Sequence, residues 1–147
     1  MKAKLLQKKA PAITDTPAFK AWFSGSKVVD SGGLPMKMYH GTAREKRAWS
    51  PTRPAYFTPD YDDAVDLANM DGEVDGETPY VLAVYLSIKN PIRLGWEESN
   101  VLNVEPERVQ SLIKDGYDGA FGVGDADDDV FEYIAFFPKQ IKSAIEK

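Results

Sequence analysis

The sequence of 147 residues has no cysteine and only one histidine, His40. Without cysteine, the chain has no disulfide framework, no thiolate metal site and no cysteine nucleophile. No hydrophobic stretch approaches the length of a membrane span. The net charge of −5 argues against the broad basic surface that non-specific nucleic-acid binding requires. Together these absences favour a cytoplasmic protein that does not enter a membrane.

The composition predicts one domain. A hydrophobic content of 43% over this length is enough for one good core but hardly for two. The first residues are rich in lysine and have too little apolar sequence for a signal peptide. We therefore predict a basic tail over residues 1–14 and a single domain over residues 15–147. There is no internal repeat, and nothing in the pattern implies an oligomer.

Short helices and strands alternate along the chain. Thr16-Pro17 and Thr58-Pro59 both carry the signal of a helix start, an N-cap followed by proline. We predict an acidic loop over residues 71–78 and a short helix from residue 106 to residue 114, ended by Asp115-Gly116. The predicted strands span residues 35–40, 80–88, 117–121 and 131–137. The fold class is therefore α+β, with mostly antiparallel strands flanked by short helices.

Three strand-like segments carry the polar side chains of interest. They are Tyr39-His40-Gly41-Thr42, Ala55-Tyr56-Phe57 and the segment from Phe131 to Phe136, which contains Glu132. Each segment offers one polar side chain in an apolar or aromatic setting. This arrangement predicts a single pocket.

These motifs, in this order and spacing, resemble the histidine, tyrosine, glutamate subclass of ADP-ribosyltransferases, which includes diphtheria toxin and the poly(ADP-ribose) polymerases. The matching pattern ends in Glu-Tyr-Ile-x-Phe-x-x-x-Gln-Ile at residues 132–141. The runs at residues 22–29 and 137–144 are also similar to the ADP-ribosyltransferase-like modules of bacteriophage polyvalent proteins. The resemblance extends from about residue 17 to residue 144. It implies an ADP-ribosyltransferase-like fold of split, mostly antiparallel sheets, and a phage or mobile-element origin.

The resemblance implies roles for individual residues, with NAD as the substrate and no metal. Breaking the nicotinamide N-glycosidic bond leaves positive charge on the ribose, which the Glu132 carboxylate would stabilise in the transition state. His40 would hydrogen-bond a ribose hydroxyl, the Gly41 backbone would hold the nicotinamide amide, and Tyr56 would stack on the nicotinamide ring. The predicted catalytic residues are thus Glu132, His40 and Tyr56. The predicted NAD-binding residues are His40, Gly41, Thr42, Tyr56, Phe57 and Tyr61.

Each of the three catalytic candidates also has a plainer interpretation. For Glu132 it is a solvent-facing glutamate on an edge strand. A lone histidine at a strand end is ordinarily a structural residue, and Tyr56 has the pattern of a core tyrosine before a helix. The shared order of the three motifs is what favours function.

The pattern departs from the family in two places. The polymerases have a second stacking tyrosine about three helical turns after the first, where this chain has Leu67 or Ala68. Tyr61, one turn into the predicted helix, is the candidate to supply that ring. Arginine-modifying transferases have Glu or Gln two residues before the catalytic glutamate, where this chain has Val130. We therefore do not expect arginine-type acceptor chemistry.

The sequence as a whole predicts an NAD-dependent mono-ADP-ribosyltransferase, a glycosyltransferase whose macromolecular acceptor, host protein or nucleic acid, is not identified. Three alternatives stay open. One is an NAD glycohydrolase, one is an enzyme like the RNA 2′-phosphotransferases that share this architecture, and one is a catalytically silent NAD-binding or virion-associated module. Asp125, Asp127 and Asp129 alternate like the start of a calcium-binding loop, but Val130 replaces its glycine and Phe136 replaces its twelfth-position glutamate. We therefore predict a solvated acidic loop near the acceptor.

Overall fold

A computed structural model describes residues 12–42, 54–75, 80–102, 104–124 and 130–144. Within these ranges the chain forms four α-helices and seven strands. The helices are α1 (Pro17–Phe23), α2 (Tyr61–Asp75), α3 (Trp96–Val101) and α4 (Pro106–Lys114). The strands are β1 (Met38–Thr42), β2 (Ala55–Phe57), β3 (Tyr80–Leu86), β4 (Pro91–Leu94), β5 (Gly119–Val123), β6 (Val130–Ala135) and β7 (Ile141–Ser143).

The strands form two sheets. One has three strands in the order β1-β3-β7, and the other has four strands in the order β2-β6-β5-β4. Every pairing is antiparallel except that of β4 with β5, which is parallel. The structure therefore confirms the predicted α+β class with two mostly antiparallel sheets.

Apolar side chains fill two layers, one on each face of the four-stranded sheet. The layer between the two sheets contains Val28, Met38, Ala55, Phe57, Val84, Leu86, Ile88, Tyr133 and Ala135. The layer between the four-stranded sheet and the segment around helices α3 and α4 contains Leu94, Leu102, Val109, Ala120, Ile134 and Phe136. Helix α2 lies on the outer face of the three-stranded sheet, against β1 and β3.

Strand β6 contributes to both apolar layers. Successive side chains of a strand point to opposite faces, so Tyr133 and Ala135 enter the layer between the sheets while Ile134 and Phe136 point toward the helices. Glu132, two residues before Ile134, shares the face toward the helices. Because β6 pairs with β2 on one side and β5 on the other, the alternative that Glu132 lies on an edge strand is wrong.

The helix starts were predicted with partial success. Thr16 caps α1 as expected, its hydroxyl accepting from the Phe19 amide at 3.2 Å. The Thr58-Pro59 signal was misplaced, because α2 begins at Tyr61 and the Asp60 carboxylate accepts from the amide of Asp62 at 2.8 Å. An aspartate is a better N-cap than a threonine, so the cap moves two residues along the chain.

Several boundaries differ from the predicted ones. Strand β1 begins at Met38, since Pro35 forms only an isolated bridge and has no N–H to donate. Helix α2 continues to Asp75, so residues 71–75, predicted as loop, are helical. Strands β5 and β6 are displaced by one or two residues from the predicted spans. The helix predicted over residues 106–114 is confirmed as α4.

The edge strands β4 and β7 and helix α3 were not predicted at all. Pro91, taken as a strand stop, is the first residue of β4, where an edge position tolerates the missing N–H. Residues 1–11 of the predicted tail, residues 76–78 of the predicted loop and the acidic loop of residues 125–129 lie outside the described residues. Within the described ranges, no helix combines the length and hydropathy needed to cross a bilayer.

Gly41 is where β1 and helix α2 come closest. A Cβ atom placed on Gly41 would lie 2.0 Å from the Ala64 carbonyl oxygen and 2.8 Å from the Ala68 amide nitrogen. Both alanines are fully buried, which leaves no flexible side chain to move aside. The helix therefore reaches its position on the sheet because this strand residue has no side chain.

We expect Gly41→Ala to destabilise the protein by about 1–3 kcal/mol or more, since overpacking displaces the backbone of α2. Urea or thermal unfolding measures the change. Gly32→Ala is the matched control, because its Cβ would meet only the Asp30 carboxylate oxygen, at 3.4 Å. Equal stability of the two variants would contradict the close packing described here.

Candidate functional site

A cavity of about 400 Å³ opens where strands β1, β2 and β6 meet helices α2 and α3. Aromatic and acidic side chains dominate its walls. The lining residues are Tyr39, Tyr56, Phe57, Thr58, Asp63, Asp66, Leu67, Trp96, Asn100, Phe131 and Glu132. The cavity thus contains residues of all three motifs that the sequence singled out.

Glu132 lies in this cavity on β6, directly before the segment of residues 133–135 that is paired on both sides. Its cross-strand partner is Gly122 of β5. Because Gly122 has no side chain, Glu132 and Phe131 can occupy the space beside it. Burial raises the pKa of the Glu132 carboxyl above its ordinary value, and a hydrogen bond with the Ser99 side chain acts in the opposite direction. The second oxygen, Oε2, is buried and has no hydrogen-bond partner in the described part of the chain.

Tyr56 lies beside Glu132 on the same face of the four-stranded sheet. It pairs with Ile134, and its ring packs against the apolar layer under helices α3 and α4. The phenol hydroxyl donates to the Ser99 carbonyl oxygen at 2.6 Å, which fixes the orientation of the ring. The prediction that Tyr56 and Glu132 share one pocket is therefore confirmed in geometry.

Helix α3 contacts both Tyr56 and Glu132 through Ser99. This helix was not predicted from the sequence. It follows Gly95 and begins with Trp96, and Glu97 and Glu98 in its first turn favour a helix start. Ser99 is fully buried, and its hydroxyl donates to the Trp96 carbonyl at 3.0 Å. A six-residue helix is too short for hydrophobic periodicity to show, but these first-turn carboxylates after a glycine were the available signal.

Trp96 and Phe131 form the aromatic side of the cavity next to Glu132. Their ring centroids lie 5.4 Å apart with an interplanar angle of 49°. Trp96 is 53% exposed, which is high for so large an aromatic residue. Its exposed ring is therefore available to a molecule that enters the cavity.

His40 does not line the cavity and faces the layer between the sheets instead. Its Nδ1 lies 2.8 Å from the Tyr56 carbonyl oxygen, and its ring centroid is 5.5 Å from that of Phe57. Because a carbonyl oxygen only accepts, Nδ1 carries the proton in this contact, and in the neutral ring Nε2 is then the acceptor. The structure thus connects His40 to the backbone of Tyr56, and its contact with a ribose hydroxyl stays a prediction.

The other predicted NAD-binding residues differ in whether they line the cavity. Phe57 lines it, whereas Gly41 faces α2 and Thr42 is fully buried. Gly41 is a glycine because the backbone of α2 needs the space, so its presence in the sequence is explained without a ligand. A contact of its backbone with nicotinamide stays a prediction.

Tyr61, the candidate second ring, packs outside the cavity. It meets Tyr39 edge to face, with ring centroids 5.4 Å apart and an interplanar angle of 87°. Leu67, where the polymerases have their second tyrosine, does line the cavity. The aromatic rings that reach the cavity besides Tyr56 are therefore those of Tyr39, Phe57, Trp96 and Phe131.

The cavity walls are acidic. Asp63 and Asp66 of helix α2 add two carboxyl groups to that of Glu132, and the described lining contains no lysine or arginine. No group of three potential metal ligands occurs among the described side chains. The electrostatics of these walls favour a cationic or electron-poor group over an anionic one.

A protein-family model described as ADP-ribosyltransferase in polyvalent proteins matches residues 30–147. Because this match covers most of the chain, the protein belongs to that ADP-ribosyltransferase family. The family implies NAD as the donor of ADP-ribose. Searches of curated proteins and of solved structures give no significant match. The match confirms the resemblance to the ADP-ribosyltransferase modules of polyvalent proteins, whereas membership of the histidine, tyrosine, glutamate subclass stays a prediction.

We expect Glu132→Gln to raise the melting temperature at neutral pH. The raised pKa means that ionising Glu132 costs folding free energy above that pKa, and the cost vanishes below the ordinary value of 4.5. Glutamine carries no charge and therefore avoids this cost of ionisation. The gain should therefore shrink as the pH falls through this window, which thermal unfolding at a series of pH values measures. Glu97→Gln, at an exposed position, is the control for the change of charge, and a pH-independent gain in Glu132→Gln would contradict the burial argument.

Proposed function

We propose that the protein is an NAD-dependent mono-ADP-ribosyltransferase of the histidine, tyrosine, glutamate subclass, with Glu132 as its catalytic carboxylate. The observation that carries the proposal is that Tyr56 and Glu132 line one cavity, with the Oε2 atom of Glu132 buried and without a hydrogen-bond partner among the described residues. An unsatisfied buried oxygen is costly unless a ligand completes it. A ribose hydroxyl of NAD supplies the missing donor.

The reaction breaks the bond between the ribose C1′ and the nicotinamide nitrogen. The bonding electron pair leaves with nicotinamide, which becomes neutral, and the ribose carries positive charge in the transition state. An acceptor nucleophile then bonds to C1′ and loses a proton. The Glu132 carboxylate stabilises the transition state more than the ground state, because the charge on the ribose develops only as the bond breaks.

The acidic walls support one orientation of NAD. The nicotinamide ring of NAD carries a positive charge, whereas the diphosphate is negative. Asp63, Asp66 and Glu132 attract the first and repel the second. The nicotinamide end therefore enters the cavity, and the Tyr56 ring, held by its bond to Ser99, offers a flat surface for stacking.

His40 and Tyr56 complete the proposed set in different ways. The Tyr56 ring contacts nicotinamide directly. His40 holds the Tyr56 carbonyl through Nδ1. In this proposal its ring also hydrogen-bonds a ribose hydroxyl, as the subclass resemblance implies.

We expect Glu132→Gln to lower the rate of nicotinamide release from NAD by a factor on the order of 100 to 1000, with little change in NAD affinity. Glutamine keeps the shape of the side chain and removes only its charge. The assay is nicotinamide release and transfer of labelled ADP-ribose in a host lysate, with Glu97→Gln as the exposed-glutamate control.

The distribution of label separates the proposal from its alternatives. Label on protein or nucleic acid supports a transferase, whereas free ADP-ribose alone indicates an NAD glycohydrolase. A folded wild-type protein that does not bind NAD would indicate a silent module. A Glu132→Gln protein that releases nicotinamide at nearly the wild-type rate would remove Glu132 from the mechanism.

A further inference from the structure

Ser99 touches both residues on which the proposed chemistry depends. Its carbonyl oxygen accepts the Tyr56 hydroxyl at 2.6 Å, and its side chain hydrogen-bonds with the Glu132 carboxyl. The residue is fully buried, so water does not compete for either bond. No motif identified in the sequence included it.

The Ser99 hydroxyl has two acceptors within reach but only one proton. It donates to the Trp96 carbonyl at 3.0 Å, and the Glu132 carboxyl is its other partner. An ionised carboxylate is a stronger acceptor than a neutral carbonyl, so the proton turns to Glu132 when that side chain is charged. The serine thus favours the charged form of Glu132.

The surrounding contacts keep this arrangement rigid. Helix α3 carries Ser99 between Trp96 and Asn100, which both line the cavity, and Trp96 packs on Phe131, the neighbour of Glu132. The Tyr56 hydroxyl ties strand β2 to the same helix. A shift of α3 would therefore move both walls of the cavity together.

We propose that Ser99 is a positioning residue that holds Tyr56 through its carbonyl and donates its hydroxyl proton to the Glu132 carboxylate. This inference rests on the proposed function, because it matters to catalysis only if Glu132 acts in its charged form. Without the hydroxyl, Glu132 keeps its buried position but loses a hydrogen bond that favours the ionised state. Glu132 should then ionise only at a higher pH.

The first test is a titration of Glu132 that does not depend on activity. Carboxyl carbon NMR of protein labelled at glutamate follows each ionisation, and Glu132→Gln assigns the signal. We expect Ser99→Ala to raise the pKa of Glu132. Ser99→Cys, which keeps the shape of the side chain but carries a larger thiol that is only a weak donor, should act in the same direction and provides a second variant.

Ser87→Ala is the matched control. Ser87 is also a buried serine whose hydroxyl donates to a backbone carbonyl, that of Trp22 at 2.7 Å, but it does not line the cavity. Removal of the Ser87 hydroxyl should leave the titration of Glu132 unchanged. Similar titration shifts in Ser87→Ala and Ser99→Ala would show a general effect of destabilisation and would overturn the inference.

The second test is the pH dependence of NAD cleavage. In Ser99→Ala the acidic limb of the rate profile should move to higher pH, so that the rate on that limb falls on the order of 3- to 10-fold while the rate at high pH recovers. A loss equal at every pH would contradict the role of the hydroxyl. An unmoved Glu132 titration overturns the inference and leaves the proposed function standing, whereas an active Glu132→Gln overturns the proposed function alone.

Discussion

Pairing of strand β6 on both sides is the constraint on which the site depends. The strand lies between β2 and β5, and its alternating side chains fill the apolar layers on both faces of the sheet. A strand packed in this way has no freedom to shift its register, because a slip of one residue would exchange its two faces. Glu132 is therefore fixed in the cavity, and Tyr56 on the neighbouring strand is fixed beside it.

Stability and function oppose each other at this point of the fold. Burial makes ionisation of Glu132 costly, and its Oε2 atom has no partner in the described part of the chain. A folded domain retains a costly buried carboxylate when its burial also strengthens its interaction with a positive charge that develops during a reaction. The Ser99 hydroxyl offsets part of the cost and leaves the second oxygen free for a ligand. In the proposed mechanism, this combination makes Glu132 a reactive carboxylate and not a member of a structural ion pair.

The parts of the site on regular strands were predictable from the sequence. The apolar residues on both sides of Glu132 indicate a buried strand, and Tyr56-Phe57 before a helix start indicates a second strand near it. Their meeting in one cavity follows from the antiparallel pairing of β2 with β6. The family match over residues 30–147 agrees with the motifs that were found in this way.

The rest of the site depends on packing that no local pattern records. Helix α3 has only six residues, too few for periodicity, so Ser99 was missed. His40 was expected in the pocket, but the alternation of β1 turns it toward the layer between the sheets. Gly41 seemed suited to a ligand, yet its missing Cβ accommodates the backbone of α2. In each case a tertiary contact decides where the residue lies.

The most direct test is a crystal structure of the Glu132→Gln protein with NAD, because the substitution slows cleavage and preserves the intact substrate. The account predicts the nicotinamide ring against Tyr56 and a ribose hydroxyl within hydrogen-bond distance of the side chain at position 132. It also predicts the diphosphate outside the wall formed by Asp63 and Asp66. NAD bound elsewhere on the protein, or lying in the cavity with its diphosphate inward, would contradict it.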